Sequence, residues 1–326
     1  MKPGMQTLFA YCLLPLAYCL SAAPSVAQDN YPKQPIKMLV GLAAGAINDI
    51  QGRVIAAKLA ERLGVPVVVE NKVGAGGNIA AEFVARAAPD GYTLLVAPTS
   101  TLTVNPAVYA KLGYDPQKDF VPVTQLSAYQ LYLTVNANSP AKTVPELIAL
   151  AKAQPEKANL GSPSTVFELI TAMFMQRAGI KFETIPFKST AETMTALLTE
   201  QVMIAFQDYN SLVQQIKAGK VRVLVTTGSK RSVDLPEVPT FAEVGYPGIE
   251  LEPLTGIVAP KNTPMPIVRK LQTEIQAVLK SPDVAERWRT LAMTPVGNSS
   301  EEFASLIDRE IKRWTKVAKA ANIKLE

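Results

Sequence analysis

The chain has 326 residues, of which 33 are Lys or Arg, 28 are Asp or Glu, two are Cys and none is His. The length predicts two domains with packed cores, and the absence of histidine excludes a His-based triad, a His general base and a His metal site. The net charge of +5 is too mild and too dispersed to indicate a nucleic-acid partner.

The N-terminal segment has the pattern of a secretory signal peptide. Residues 8–20 are mostly apolar, but this run is shorter than a typical membrane-spanning helix. Ser-Val-Ala at 25–27 matches a small-x-small cleavage site, so we expect residues 1–27 to be removed on export to the periplasm. Cys12 and Cys19 would leave with them, so the mature chain would have neither a disulfide nor a thiol. The alternative is an uncleaved membrane anchor.

The first half of the mature chain alternates strand-like and helix-like patterns. Strands are predicted at 36–40, 67–69 and 93–97, and helices at 48–63 and 79–88. Asn48 or Asp49 is a candidate N-cap for the first helix, which Gly64 ends. This order indicates an α/β fold with a mostly parallel sheet, in which ligands bind beyond the carboxyl ends of the strands.

Apolar alternation in residues 120–135 indicates that the chain crosses between domains, and a second α/β set follows. Its predicted strands lie at 182–186, 202–206 and 221–226, and its helices at 144–153, 166–178, 191–199 and 211–218. A proline-punctuated stretch then leads to three helices, predicted at 266–280, 283–291 and 300–322. Pro282 fits the first position of its helix, and Ser299 or Ser300 can cap the last one.

The loops after the strands are short and rich in Gly, Ser, Thr or Asn. Such loops expose backbone N–H groups at helix N-termini, where an anion is favoured; capping alone is the alternative explanation. The glycine loop at 74–78 lacks the Lys-Ser/Thr of a P-loop, and Ile79 occupies the last glycine position of a dinucleotide fingerprint. A tight backbone turn is therefore favoured over a nucleotide site.

Few residues offer catalytic chemistry. Ser162 or Ser189 with Lys188 could form the Ser–Lys pair of a secreted hydrolase, although no motif spacing supports one. We therefore do not expect an enzyme.

Three acidic residues, Asp49, Glu168 and Asp208, could bind a metal ion or a substrate amine. The sequence has no dense acidic cluster, so neither a metal site nor a cofactor is expected.

A set of short motifs spans nearly all of the mature chain: Tyr31-Pro32, Pro35-Ile36, Val67-Val68-Val69-Glu70-Asn71, Gly74-Ala75-Gly76-Gly77-Asn78, Ala88-Pro89-Asp90-Gly91-Tyr92-Thr93-Leu94-Leu95, Asn105-Pro106, Tyr114-Asp115-Pro116, Lys118-Asp119-Phe120, Ile216-Lys217-Ala218-Gly219-Lys220, Leu235-Pro236-Glu237-Val238-Pro239-Thr240 and Glu301-Glu302-Phe303. Through these motifs the chain resembles the Bug family, the substrate-binding proteins of tripartite tricarboxylate transporters.

The resemblance implies a two-lobed type II periplasmic binding protein, or Venus flytrap. It implies a discontinuous first lobe, residues 28–127 plus 227–326, and a second lobe, residues 128–226. Family members bind mostly carboxylates and deliver them to the subunits of a membrane permease, and some are thought to feed signalling systems. A ligand-dependent periplasmic partner of a sensor kinase is therefore a further alternative for this chain. We expect a monomer that closes on a small carboxylate or amide ligand.

The pocket loops depart from the family pattern. The usual Pro-Pro-Gly-Gly-Pro-Thr-Asp reads Ala-Ala-Gly-Ala-Ile-Asn-Asp at 43–49, and Glu168 stands where a His is common. The usual Tyr-Lys-Gly-Ser becomes Phe-Lys-Ser-Thr at 187–190, and Phe-Asp-Asn becomes Phe-Gln-Asp at 206–208. Because of these changes, the resemblance does not determine which ligand the chain binds.

The loops and the resemblance together predict the ligand-binding residues, which are Ala43, Gly45, Ala46, Asn48, Asp49, Thr99, Ser100, Thr101, Ser162, Ser164, Thr165, Glu168, Lys188, Ser189, Thr190 and Asp208. Ile47, Phe167 and Tyr209 favour a partly apolar, even aromatic, carboxylate as the ligand. The second hypothesis is an amine or amide paired with Glu168 or Asp208.

Overall fold

The computed structural model of the protein describes residues 31–321 and 323. Contacts group the chain into Met1–Tyr31 and Pro32–Glu326, and all the elements below belong to the second unit. The predicted signal peptide, residues 1–27, lies outside the described residues. No described helix is both long and apolar enough to span a bilayer.

The described chain contains eleven strands and ten α-helices. The strands are β1 (Ile36–Val40), β2 (Val67–Asn71), β3 (Thr93–Pro98), β4 (Phe120–Tyr129), β5 (Leu131–Asn136), β6 (Asn159–Ser162), β7 (Glu183–Pro186), β8 (Ile204–Asp208), β9 (Val221–Thr226), β10 (Leu254–Pro260) and β11 (Met293–Pro295). The helices are α1 (Ile47–Leu63), α2 (Asn78–Ala85), α3 (Asn105–Val108), α4 (Val144–Ala153), α5 (Thr165–Ala178), α6 (Thr190–Leu198), α7 (Tyr209–Lys217), α8 (Met265–Leu279), α9 (Pro282–Thr290) and α10 (Ser300–Ala321).

The strands form two sheets, with the orders β11-β4-β10-β3-β1-β2 and β7-β6-β8-β5-β9. In the first sheet β2, β1 and β3 are parallel, with Met38 paired to Val69 and Leu94, whereas β10, β4 and β11 pair antiparallel. In the second sheet β7, β6 and β8 are parallel, and β5 and β9 are antiparallel. The α/β class is confirmed, but the mostly parallel sheet holds only for the first three strands, because β10 enters from a later part of the chain.

The chain passes between the sheets twice. Gln130 alone separates β4 of the first sheet from β5 of the second, which confirms the predicted crossing, and a longer segment leads from β9 back to β10. The two passages lie side by side, because the N–H of Tyr129 donates to the Pro253 carbonyl at 3.0 Å. We call residues 129–131 and 252–254 the crossover connections.

The segment between β9 and β10 packs largely with the second sheet. Leu235 and Val238 join a core cluster with side chains of α6 and β9, and the Phe241 ring lies 5.4 Å from that of Phe174 on α5. This packing favours a second lobe that extends to about residue 251, beyond the predicted boundary at 226.

Several helix ends follow the sequence signals. The Ser299 hydroxyl accepts from the Glu302 N–H at 3.1 Å while the Glu302 carboxylate accepts from the Ser299 N–H at 2.8 Å, a capping box that begins α10. Pro282 opens α9 as predicted. The predicted cap of α1 is wrong: its N-cap is Ala46, which has no side-chain bond to offer.

Five strands are absent from the sequence-based prediction: β4 and β5, which fall in the apolar alternation at 120–135, and β6, β10 and β11. β6 lies where a loop was expected to begin, and β10 and β11 lie in or beyond the proline-punctuated stretch. β10 is buried along its whole length, yet Pro253 precedes it and Pro260 ends it. Proline flanks and a central Gly256 are signals typical of loops, so local propensity gave no hint of this central strand.

Candidate functional site

A cleft of about 690 Å³ lies between the two sheets, at the carboxyl ends of β1, β3, β6, β7 and β8. Tyr129 and Pro253 of the crossover connections also line it. We call it the main cleft. Its position is the one expected for a ligand site in open α/β sheets.

Eleven of the predicted ligand-binding residues line the main cleft: Ala43, Gly45, Ala46, Asn48, Thr99, Ser100, Ser164, Lys188, Ser189, Thr190 and Asp208. The other five, Asp49, Thr101, Ser162, Thr165 and Glu168, lie outside its lining.

The loop after β1 is held by Asp49, in the first turn of α1. Its carboxylate accepts from the Gly45 N–H at 2.9 Å, from the Asn71 amide at 2.8 Å and from Arg53 at 3.0 Å. Gly45 has a φ of 83°, a left-handed conformation that glycine adopts without strain. Asp49 therefore shapes the cleft wall without facing the cavity.

The surroundings of Asp49 favour its charged form. Burial alone would raise the pKa of its carboxyl, but the hydrogen bonds from Arg53, Gly45 and Asn71 outweigh burial and lower that pKa below its usual value. The side chain stays ionised at neutral pH and keeps the loop in place.

Asn48 connects the same loop to the centre of the first sheet. Its side-chain amide donates to the Thr255 hydroxyl at 2.7 Å, and Gln51 donates to the same oxygen at 3.0 Å. The Ser127 hydroxyl donates in turn to Gln51 at 2.7 Å. This buried network fixes α1 against β10 and β4.

The glycine loop before α2 packs against the end of β1. A Cβ atom at Gly41 would lie 2.6 Å from the Cα of Gly77, so the two backbones approach too closely for a side chain. Gly74, Gly76 and Gly77 all have positive φ angles. The tight backbone turn predicted at 74–78 is confirmed, and Gly74–Gly76 form part of the cleft wall.

The hydroxyls that follow β3 have three different environments. Thr99 is bound to β10, because its hydroxyl accepts from the Leu254 N–H at 2.6 Å. The buried Thr101 hydroxyl has no partner and lies behind the glycine loop, 2.9 Å from where a Cβ of Gly77 would stand. Among the described residues, the Ser100 hydroxyl has no hydrogen-bond partner and lines the cleft, so it is available to a ligand.

On the opposite wall, Ser164 is the N-cap of α5 and lines the cleft without capping the helix through its side chain. The buried Ser162 hydroxyl donates to the Ser164 carbonyl at 3.0 Å, while Thr165 is the first residue of the helix. Glu168 is half-buried, and burial raises the pKa of its carboxyl.

The loop after β7 is organised by the N-cap of α6, Ser189, and by a hydrogen bond from the residue before it to Glu192. The Ser189 hydroxyl accepts from the Glu192 N–H at 3.2 Å, and the Glu192 carboxylate accepts from the Lys188 N–H at 2.9 Å. The described chain contains no hydrogen bond between Lys188 and either Ser162 or Ser189. This geometry gives no support to a Ser–Lys catalytic pair.

Asp208 closes the same wall as the N-cap of α7. Its carboxylate accepts from the Ser211 N–H at 2.9 Å and from the Ser211 hydroxyl at 3.1 Å. The Ser211 hydroxyl also lies 3.3 Å from that of Thr190. One oxygen of this carboxylate, Oδ1, is thus engaged by its own helix, and Oδ2 accepts no hydrogen bond from the described residues.

Four helices begin at the main cleft, because the N-caps of α1, α5, α6 and α7 all line it. These N-caps are Ala46, Ser164, Ser189 and Asp208. The positive ends of four helix dipoles therefore face one cavity. Lys188 and Asp208 are the charged residues among the lining.

The sequence analysis missed Tyr129, whose ring lines the cleft from the crossover connection. Burial first, and then the charge of Asp208, raise the pKa of its phenol, so the group remains a protonated donor. Its hydroxyl has no hydrogen-bond partner within the described chain. No loop motif marks Tyr129, because it ends an antiparallel strand.

Apolar side chains complete the lining: Leu42, Ile47, Val73, Val166, Phe167 and Phe187. Tyr209, expected to favour an apolar ligand, does not line the cavity. No group of three or more metal-ligating Cys, Asp or Glu side chains exists in the described chain.

A family model described as tripartite tricarboxylate transporter family receptor matches residues 51–323. The chain belongs to this family. The resemblance found in the sequence motifs is thereby confirmed, and the family is one of periplasmic solute-binding receptors.

Solved structures of similar proteins agree with the family. Periplasmic binding protein BugD is 33% identical, covers 91% of this chain and all of its own, and superposes with a TM-score of 0.82. An R. palustris protein solved with adipate is 32% identical over 90% of this chain and 99% of its own, with a TM-score of 0.84. MatC from Rhodopseudomonas palustris, solved with malate, is 32% identical over 88% and 99%, with a TM-score of 0.80.

These similarities identify the fold as the two-lobed type II periplasmic binding fold. They also identify the chain as a solute-binding receptor of the Bug type. No comparison supports the secreted hydrolase or the sensor-kinase partner.

Proposed function

We propose that the protein captures a small carboxylate with an apolar body in the main cleft and delivers it to the permease subunits of a tripartite tricarboxylate-type transporter. The observation that carries this proposal is the convergence of four helix N-termini on one cavity. Exposed N–H groups and aligned dipoles at such termini favour an anion.

The charged and polar lining supports an acid rather than an amine. The Lys188 ammonium makes no ion pair with the described residues, and the hydroxyls of Ser100 and Tyr129 are without partners. Asp208 already accepts two hydrogen bonds from Ser211, and Glu168 lies outside the lining. Both of these bonds go to Oδ1, so a ligand amine would find one open carboxylate oxygen in the lining, Oδ2 of Asp208, against four helix N-termini and the ammonium of Lys188.

The apolar lining supports a ligand with a hydrocarbon or aromatic body. Ile47 and Val73 contribute from the first lobe, and Phe167 and Phe187 contribute from the second. Closing the lobes on an apolar body would remove these surfaces from water, at about 25 cal/mol per Å² of apolar area buried. The relatives solved with adipate and malate bind dicarboxylates in the same fold.

Matched acids and amides test this proposal. We expect benzoate and hexanoate to raise the melting temperature of the purified mature protein, and benzamide and hexanamide to leave it unchanged, because a ligand that binds only the folded state stabilises it. Lys188→Gln should reduce the shift, whereas Lys181→Gln, on an exposed loop, should not. Stabilisation by the amides alone would contradict a carboxylate receptor.

Export and delivery complete the proposed function. The signal-peptide pattern and the periplasmic relatives support a periplasmic receptor, and we propose that it is non-enzymatic and acts as a monomer. Fractionation of cells should place the protein in the periplasm, with an intact mass that begins at Gln28. Recovery of the full-length chain in the membrane fraction would instead indicate an uncleaved anchor.

A further inference from the structure

A π-helical turn, Ser100–Val104, follows β3 directly and leads into α3. In this turn the N–H of Asn105 donates to the carbonyl of Ser100, five residues back, whereas an α-helix uses the carbonyl four residues back. Such turns are rare and occur frequently at functional sites. This one begins at the main cleft, because Ser100 is part of the lining. We call residues 100–104 the wide turn.

The wide turn leaves the carbonyl of Thr101 without its usual backbone donor. At the five-residue spacing the donor would be residue 106, which is a proline and has no N–H. At the four-residue spacing the donor would be the N–H of Asn105, which already donates to Ser100. Thr101 is 1% exposed, so water has little access to its carbonyl, and a buried carbonyl without a partner is costly.

Tyr114 supplies the missing donor from the loop before β4. Its hydroxyl donates to the Thr101 carbonyl at 2.8 Å and lies 3.1 Å from Oδ1 of Asn78. Burial raises the pKa of this phenol, so the hydroxyl keeps its proton. The Asn105 amide donates to the same Asn78 oxygen at 2.6 Å. Asn78 follows the glycine loop as the first residue of α2, so Tyr114 joins two loops of the same cleft wall.

The wide turn lies between two anchored ends. Before it, the Thr99 hydroxyl accepts from the Leu254 N–H of β10 at 2.6 Å. After it, Asn105 is bound to Asn78. A change in the spacing of the turn is therefore confined to residues 100–104, and of these five described residues only Ser100 lines the main cleft.

We propose that Tyr114 is a positioning residue for the ligand site: its hydroxyl keeps the wide turn at the five-residue spacing and thereby keeps the Ser100 hydroxyl in the main cleft. The contact between Ser100 and a ligand rests on the proposed function, but the effect of Tyr114 on the turn does not. Without the phenol hydroxyl, the Thr101 carbonyl competes for the Asn105 N–H, and the turn tightens to the α-helical spacing. One residue of an α-helix spans about 100°, so Ser100 must rotate when the spacing changes.

The ligand-free crystal structure of Tyr114→Phe tests the effect on the turn. The substitution removes only the hydroxyl, and the ring keeps its packing against Phe120, 5.9 Å away between centroids. We expect the Asn105 N–H to bond to Thr101 instead of Ser100, and the Ser100 hydroxyl to leave the cleft wall. An unchanged wide turn with Ser100 in place would overturn the proposal. Because no ligand is present, this result does not depend on whether a carboxylate binds.

Calorimetric titration with hexanoate tests the consequence for binding. Tyr114→Phe and Ser100→Ala should each weaken hexanoate binding by about tenfold, the range of one hydrogen bond to a charged group. The double variant should lose little more than either single variant, because Tyr114 acts through Ser100. Losses that multiply in the double variant, or wild-type affinity in Tyr114→Phe, would overturn the proposal. If hexanoate fails to bind the wild-type protein, the proposed function fails for this acid, and the ligand-free structure alone decides the role of Tyr114.

Tyr132→Phe is the matched control for a lost tyrosine hydroxyl. Tyr132 is 1% exposed, against 4% for Tyr114, and belongs to a core cluster of the second sheet outside the cleft lining. This variant should bind hexanoate as the wild-type protein does, and melting curves establish that each variant is folded. An equal loss of affinity in Tyr132→Phe and Tyr114→Phe would show that general destabilisation, rather than the wide turn, weakens binding.

Discussion

At the scale of single residues, some of those predicted to bind the ligand instead shape the wall of the main cleft. The family motif marks Asp49 as a site residue, but its carboxylate binds Gly45, Asn71 and Arg53 and is only 2% exposed. The hydroxyl-bearing loops are predictable because carboxyl ends of parallel strands meet at one sheet edge. Tyr129 is not predictable in this way, because its place depends on how two antiparallel strands are joined.

The Asp49 carboxylate should stabilise the fold in a pH-dependent manner. Its folded pKa lies below the usual value of an aspartate, so its contribution is complete above that usual value and is lost as the pH falls through the folded pKa. Asp49→Asn should lower the free energy of unfolding by about 1–2 kcal/mol at pH 7, since Arg53 is partly exposed. The difference from wild type should shrink at pH 3 in urea titrations.

Glu70→Gln is the matched control for this prediction. Glu70 pairs with Lys37 at 3.0 Å, and both side chains are 47% exposed, so the loss should be below about 0.5 kcal/mol. Equal losses in the two variants would show that the Asp49 contacts have no special role.

Glu168 should show the opposite pH dependence. Burial raises its folded pKa above the usual value of a glutamate, so the charged carboxylate costs stability, and this cost grows as the pH rises through that range. Glu168→Gln should raise the melting temperature at pH 7.5 and change it little at pH 4.

Glu156→Gln, at an exposed position, should change neither melting temperature. Ligand affinity gives a second readout for Glu168. A loss of carboxylate binding in Glu168→Gln would place this residue in the site after all.

At the level of elements, the sequence predicts best where local signals agree with the final packing. Capping and periodicity place α8, α9 and α10 within one or two residues. β10 fails this test because its strand character comes from its neighbours β3 and β4, which lie far away in the chain. The contact between the end of β1 and the glycine loop also joins residues that are distant in the chain, although the glycines at 74–77 indicate a tight turn there.

The contact between Gly41 and Gly77 should be the most sensitive point of the first wall. Gly41→Ala places a Cβ 2.6 Å from the Gly77 backbone, so we expect a loss of about 1–3 kcal/mol in unfolding free energy. Because both loops line the cleft, ligand affinity should fall as well. Calorimetric titration and chemical unfolding of the same sample measure the two effects.

Gly179→Ala is the control for this substitution. Gly179 ends α5 at a φ of 61° with open space around it, so strain alone should cost about 1 kcal/mol. Its ligand affinity should remain that of wild type. An equal loss of affinity in both variants would mean that general destabilisation, rather than the loop contact, weakens binding.

For the whole molecule, two sheets joined by two crossover connections explain where the site lies. The sequence motifs identify the family and hence the lobes, but the lobe boundary depends on where residues 227–251 pack. The convergence of four helix N-termini is also a property of the assembled fold. It is this convergence, together with a Lys188 ammonium that pairs with no described residue, that favours an acid in the cleft.

The most direct test of this account is mass spectrometry of the small molecules released when protein purified from the periplasm is denatured. The account predicts an acid that carries a carboxylate on an apolar or aromatic body, in stoichiometric amount, and its loss from Lys188→Gln. Release of only amines or amides without a carboxylate would contradict the account.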